Sequence, residues 1–180
     1  MEGALVIVPR DRIARRVEEL ARRIADSYPA GELTILGVMT GSLVFLADLI
    51  RCLPFRLRLS MVSVRSYPGT ATRSKGPEFT MPLPRDLTGR HVLIVDDILD
   101  TGQTLGALRD AVAAGNPASL RTCVLLRKVR PGRDETALAD FVGFDVADEF
   151  VVGYGLDYDD LYRNLPDICV LKSTPQEQRP

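Results

Sequence analysis

The sequence predicts an α/β fold, a central, mostly parallel sheet flanked by helices, and three observations support it. Short runs rich in Val, Ile and Leu alternate with stretches whose apolar residues recur every three or four positions, the signatures of strand and helix in turn. Two of the strand-to-helix transitions, Met39-Thr40-Gly41-Ser42 and Asp100-Thr101-Gly102-Gln103-Thr104, are short and rich in Gly, Ser and Thr. The length, 180 residues, suits one domain spanning 1–180, with no linker or internal repeat in it.

Ala4 to Val8 reads as a strand ended by Pro9, and from Asp11 the residues Ile13, Val17, Leu20 and Ile24 mark one face of a helix that stops at Ser27. Its arginines, Arg15, Arg16, Arg22 and Arg23, are interleaved with Glu18 and Glu19, which suits a solvated face better than a nucleic-acid surface. Leu33 to Val38 is the next strand. The helix after Ser42 should bury Leu43, Leu46, Ala47 and Ile50. Phe55 to Val64 alternates like a half-exposed strand, and Phe79 to Leu83 is the expected returning strand. Between them, about residues 66–78, lies a long run with almost nothing apolar to anchor it. Such loops are usually functional lids or disordered segments.

The richest stretch follows. Val92 to Val95 is a buried strand that ends in Asp96, Asp97 and Asp100, and a helix resumes through Leu105, Leu108 and Val112 until Gly115. In open α/β sheets ligands gather beyond the carboxyl ends of parallel strands, at helix N-termini. First-turn N–H groups, the hydroxyls of Thr101 and Thr104, and the small Gly102 are the parts of a phosphate cradle. No lysine follows the glycine, so this is not a P-loop. Carboxylates repel phosphate, so the acids must serve a sugar diol, a Mg²⁺ ion or a proton to be moved. As mere helix caps, Asp100 or Thr101 would be ordinary; the combined pattern is not. His91 has no nucleophile or metal set beside it and receives no role.

Ser119 to Leu126 is a further strand running into the basic segment Arg127 to Arg133, with Lys128 on the side where the ligand loops gather. Asp159 to Leu165 is expected to be a short helix, and Ile168 to Leu171 a last strand. The tail, about 173–180, should be disordered. Hydrophobic residues make up 46% and charged residues 26%, a globular balance, and the net charge of −1 supports neither nucleic-acid nor membrane binding. The three cysteines, Cys52, Cys123 and Cys169, have no metal-ligand spacing and suit a reducing compartment. With no signal-peptide pattern or membrane-length apolar run, a cytoplasmic location is expected.

Two acids, two apolar residues and then Asp-Thr-Gly-x-Thr behind an apolar strand resembles the 5-phosphoribosyl 1-pyrophosphate (PRPP) motif of the type I phosphoribosyltransferases. Asp140 to Arg163 is similar to the C-terminal segment of that family's hypoxanthine-guanine members. The resemblance implies the type I phosphoribosyltransferase fold, with a small hood, expected here from the C-terminal part of the chain, and a flexible loop, and purine salvage by transfer of a phosphoribosyl group to N9 of hypoxanthine or guanine. It implies that Asp96 and Asp97 hold the ribose hydroxyls, that Thr101, Gly102, Gln103 and Thr104 hold the 5′-phosphate, and that Asp100 is the catalytic acid or base at purine N7. Lys128 would contact the 6-oxo group, Phe150 would stack on the base, and the Val151 backbone would read its edge.

Pyrophosphate would lie on Met39, Thr40 and Gly41, with Arg163 and either Arg130 or Arg133 near it. The family usually has Leu-Lys at the first two positions, so here an ammonium is lost. Ser66 and Tyr67 would begin the flexible loop. Mg²⁺ is the implied cofactor, held by Asp157 through water and by Asp96 and Asp97, and dimers or tetramers are the expected assemblies. Two other readings of the fold are an RNA-binding regulator, which the near-neutral charge and the segment Phe150 to Asp157 oppose, and a non-catalytic PRPP sensor, which Thr40 would suit.

Overall fold

Pairing of the apolar runs produces two sheets. The computed structural model describes residues 4–28, 31–65, 78–130 and 138–171. Along the chain lie β1 (Ala4–Val8), α1 (Arg10–Ser27), β2 (Glu32–Met39), α2 (Leu43–Cys52), β3 (Arg56–Arg65), β4 (Glu78–Phe79), β5 (His91–Leu99), α3 (Gln103–Ala113), β6 (Ser119–Lys128), β7 (Phe141–Val146), β8 (Val151–Val152) and β9 (Ile168–Leu171). Six strands form the main sheet in the order β4-β3-β2-β5-β6-β7. All neighbours in it are parallel except β4, which returns antiparallel on β3. The hood is a three-stranded antiparallel sheet, β1-β9-β8.

Alternation along β5 divides the core in two. Val92 and Ile94 pack with Leu105, Leu108 and Val112 of α3, while Leu93 and Val95 point to the other face, against the clusters of α1 and α2. Helix α1 buries Ile13, Val17, Leu20 and Ile24, the set its period predicts. From β2 the chain winds through α2 to β3 on one side; from β5 it winds through α3 to β6 on the other. The β2–β5 boundary is therefore the point where the winding reverses, the place where such sheets open a crevice.

Four local expectations need correction. Helix α2 buries Phe45, Leu46 and Leu49, and Leu43 and Ala47 face outward. Its sequence is apolar almost all round, so spacing does not choose a face, and the bulky Phe45 takes the core. The returning strand is only Glu78–Phe79. The hood is not purely C-terminal, because β1 closes its edge against β9.

No helix forms over Asp159 to Leu165: Asp159, Asp160 and Tyr162 have positive φ, and the segment folds back instead. There the Gly155 N–H donates to Arg163 O (3.0 Å) and the Tyr154 N–H to Leu165 O (2.8 Å). Ser66, Tyr67 and the rest of the expected loop through residue 77 lie outside the described residues, as do Arg133 and the tail from 172 onward. Among the described residues no helix is long and apolar enough to cross a membrane.

Candidate active site

The crevice begins where two strands part. Pairing of β2 with β5 ends at Gly37–Val95, yet β2 stays with β3 to Met39–Ser63 and β5 stays with β6 to Leu99–Arg127. The sheet thus splits at its carboxyl edge, with Asp96 and Asp97 on one lip and the Met39–Ser42 turn on the other. The Met39–Thr40 peptide is cis. Past the last β2 pair, side chains take main-chain donors: the Asp97 N–H donates to Asp96 Oδ1 and the Ile98 N–H to Asp97 Oδ1, both at 2.9 Å. Strand β5 runs on through the acids and stays paired with β6 to Leu99. Their carboxyls come together because each bends back onto its own strand.

Gly41 is packed so closely against this pair that a Cβ there would overlap Asp97 Oδ2. Burial, and next the charge of Asp97, push the Asp96 carboxyl well above the usual carboxylate range; burial also raises Asp97. The fold therefore binds a proton at Asp96 more tightly than the unfolded chain does. Such a group contributes stability at low pH, and that contribution is lost as pH rises from the unfolded value, about 3.9, through the raised folded one. Asp96→Asn is expected to melt higher than the parent at pH 8 with no such gain at pH 4. Each kcal/mol relieved should read as roughly 2–4 °C in a domain of this size. Thermal melts across that range check it, and a gain independent of pH would contradict it.

Beyond β5 the chain reaches the expected cradle segment. Gly102 has φ 75° and precedes α3, and a Cβ there would meet the Leu138 side chain. Its carbonyl accepts the Gly106 N–H at 2.8 Å, which starts the helix. The N-cap position is held by Gly102, so neither Asp100 nor Thr101 is the cap residue of α3. Gln103 and Thr104 stand in the first turn of α3, where main-chain N–H groups and the positive end of the helix dipole are found.

Lys128 closes the next wall. As the last residue of β6, its Nζ donates to Asp100 Oδ2 at 3.3 Å and lies 3.3 Å from Asp148 Oδ1. Arg130 donates through Nη1 to Asp100 O at 2.9 Å, ion-pairs with Asp100 Oδ1, and grips Asp148 with Nε and Nη2 at 2.8 and 2.9 Å. Hydrogen bonding to Asp148 and Asp100 raises Arg130, and Arg130 with Lys128 holds Asp148 down to about 2. Sequence reasoning missed Asp148. No local signal marks it: Arg127 pairs with Asp145 and Lys128 with Val146 across β6 and β7, and only that register carries Arg130 to Asp148.

The hood supplies the last wall. Phe150 is 47% exposed, which excludes core packing, and meets the edge of Tyr158 with centroids 5.1 Å apart and planes at 83°. The Leu171 N–H donates to Phe150 O. In an antiparallel ladder the next pair, Val151–Val170, is the non-bonded kind, so the Val151 N–H and C=O point away from β9, at the outer edge of the sheet. Asp157 meets Arg163 Nη2 through Oδ1 at 2.8 Å, and its Oδ2 accepts the Asp160 N–H at 2.9 Å. Arg163 Nη1 donates to Gly155 O at 2.9 Å, and its charge reaches Asp97 and opposes that acid's upward shift. Gly155, at φ 101°, lies against Gly41 O with no room for a Cβ. The Tyr154 hydroxyl donates to Asp48 Oδ2 at 2.6 Å, tying this turn to α2. The structure thus brings Met39–Gly41, Asp96, Asp97 and the Asp157–Arg163 pair around one crevice, with Asp100, Lys128 and Arg130 along the same sheet edge.

Fold and site together define a doubly wound α/β protein with a glycine-led helix N-terminus beside paired acids at the switch point of its sheet. Residues 7–159 match the profile of the phosphoribosyl transferase domain. The chain belongs to the phosphoribosyltransferase family, and its fold is the type I fold of that family. It is 40% identical over 93% of its length, and 94% of the other chain's, to the hypoxanthine-guanine phosphoribosyltransferase of Aquifex aeolicus. Identity to the Escherichia coli hypoxanthine phosphoribosyltransferase is 37% over 91% of this chain and 92% of that one. A variant of the Trypanosoma cruzi hypoxanthine phosphoribosyltransferase complexed with its product IMP superposes with a TM-score of 0.88 at 36% identity, covering 99% of this chain and 96% of that one.

Proposed function

We propose that this protein is a purine salvage enzyme that transfers the phosphoribosyl group of PRPP to N9 of hypoxanthine or guanine, releasing pyrophosphate. The observation that carries the reading is the adjacency of the cradle to a base-sized wall: Asp100, at the cradle's start, is joined to Lys128 at 3.3 Å. The relatives named above for hypoxanthine and guanine transfer support it.

In this reading Thr101, Gly102, Gln103 and Thr104 hold the 5′-phosphate, and Asp96 and Asp97 the ribose hydroxyls. Rupture of the C1–O bond leaves an oxocarbenium-like sugar, the electronic problem that glycosidases face. Asp100 takes or holds the proton at purine N7 as N9 bonds the sugar. Lys128 donates to the 6-oxo group, Phe150 stacks on the base, and the Val151 backbone reads its edge. A 6-amino group gives Lys128 no comparable acceptor, so adenine is disfavoured. Pyrophosphate departs over Met39, Thr40 and Gly41 toward Arg163.

Mg²⁺ fits these residues. It is commonly held by one or two carboxylates together with substrate oxygens rather than in an all-protein cage. Asp96 and Asp97 are adjoining acids whose shared charge a cation would relieve, and Asp157 would hold it through water. Bound there, the ion would supply positive charge to the leaving pyrophosphate. The partners are small molecules, neither nucleic acid nor membrane, the location is cytoplasmic, and the assembly is a dimer or tetramer.

The cradle has its own test. Thr104→Ala is expected to weaken Mg-PRPP binding by roughly three- to tenfold, the worth of about one hydrogen bond, and to leave turnover at saturating PRPP nearly unchanged. Calorimetric titration reads the first and steady-state kinetics the second. For the function itself, hypoxanthine, guanine, adenine, xanthine and uracil are each assayed with Mg-PRPP. Turnover with the first two and little with adenine or uracil is expected; no nucleotide from any of them would overturn the assignment.

A further inference from the structure

A second groove, of about 410 Å³, lies where α1 crosses the β7 edge of the sheet. Ligand pockets commonly start near roughly 300 Å³. Arg12, Arg16 and Arg23 of α1 and Arg127 of β6 line it, with Asp140 and Asp145 as its carboxylates. Arg127 and Lys128 are strand neighbours and so point to opposite faces of the sheet, Lys128 into the cluster around Asp100 and Arg127 toward α1. The groove is therefore on the face opposite Lys128.

Both acids are engaged. Asp145 is gripped by Arg127 at 2.7 and 3.0 Å, and Asp140 accepts the Thr122 N–H at 2.8 Å and lies 3.4 Å from Arg109. The helix arginines are positioned by rings: Arg12 and Arg16 lie 5.2 and 5.4 Å from the Phe144 centroid, and Arg23 lies 5.7 Å from that of Phe141. Arg16 also meets Glu19 at 2.8 Å, whereas Arg12 and Arg23 have no carboxylate within ion-pair distance among the described residues. A chain of net charge −1 has thus gathered guanidinium groups in one ligand-sized groove.

Guanidinium groups held in place match phosphate oxygens in pairs. From Arg12 to Arg23 the row extends roughly 16 Å along the helix, at about 1.5 Å per residue. Single-stranded nucleic acid would need open ring faces for its bases, and here arginines already cover Phe141 and Phe144. We propose that this groove binds a linear oligophosphate, free or as the phosphate arm of a nucleotide, at a site separate from the crevice.

Amide NMR titration of the full chain with inorganic tripolyphosphate at physiological salt tests this. Saturable shifts over Arg10–Ser27 and Phe141–Val146 are expected, and R12Q/R23Q should weaken that binding roughly tenfold, since each exposed charge pair is worth about two- to fivefold. Turnover of the double variant should be unchanged. If it does not fold, R12Q and R23Q singly should each give the smaller factor. ATP binding at the groove with similar affinity would assign it to a nucleotide's phosphate arm, and tripolyphosphate binding alone to the free chain. Shifts confined to residues 39–42 and 96–104, equal binding by the double variant, or tighter binding of a single-stranded RNA would overturn the proposal.

Discussion

Asp100→Asn is expected to lower turnover by roughly 10²–10⁴-fold, the usual worth of a positioned acid or base. PRPP affinity should change little, because the substitution keeps the shape of a side chain beside the cradle and leaves Thr101, Gly102, Gln103 and Thr104 in place. The geometry makes the expectation specific. Asp100 Oδ2 accepts from Lys128 and Oδ1 pairs with Arg130. An amide keeps one acceptor but cannot take a proton from purine N7. In kinetic terms, kcat and kcat/KM should fall together, the mark of an interaction made only in the transition state. Steady-state kinetics with calorimetry on the same preparation measure both sides, and unchanged turnover would remove Asp100 from the chemistry.

Lys128→Met should have a comparable effect by a different route. The Lys128 side chain is only 12% exposed and is the donor at the end of β6. Truncating a buried, hydrogen-bonded charge commonly costs about 2–5 kcal/mol, so kcat/KM for hypoxanthine should fall from roughly 30-fold to several thousand-fold. Adenine should lose less, because it never offered the lysine an acceptor, and the preference for 6-oxopurines should narrow accordingly. The fold should survive: Arg130 continues to bind Asp100 and Asp148 when the ammonium is gone. Parallel assays with hypoxanthine and adenine read the ratio. An equal loss with both bases would mean that Lys128 orders the acids rather than reading the base.

The parts legible in the sequence are those whose cause is local. The strand at Val92–Val95, the glycine entry to α3 and the one-faced helix α1 each follow from a period or a turn residue within their own segment. Local signals failed where several packings satisfy them equally. Helix α2 is apolar nearly all round, so its buried face was set by Phe45 against the core rather than by spacing. The segment after Asp157 has helix-compatible composition but is held as a turn by Arg163 and by hydrogen bonds back to residues 154 and 155.

Long-range pairing hid two further features. Strand β1 closes the hood only because β9, at the other end of the chain, presents an edge to it. Asp148 enters the Lys128–Arg130 cluster through the register of β6 on β7, which no single segment encodes. The opening of the sheet between β2 and β5 is of the same kind. Asp96 and Asp97 can be picked out as acids from the sequence, but their raised protonation comes with burial beneath the Gly41 turn, which belongs to a distant segment.

The central claim is that the crevice joins the sugar of PRPP to purine N9. Carbon-13 NMR of the protein with Mg²⁺, hypoxanthine and PRPP labelled at C1 observes that bond forming. One C1–N9 glycosidic bond per pyrophosphate released, with no free ribose 5-phosphate, is the predicted result. Loss of the PRPP signal to ribose 5-phosphate alone, or no change in it at all, would contradict the account.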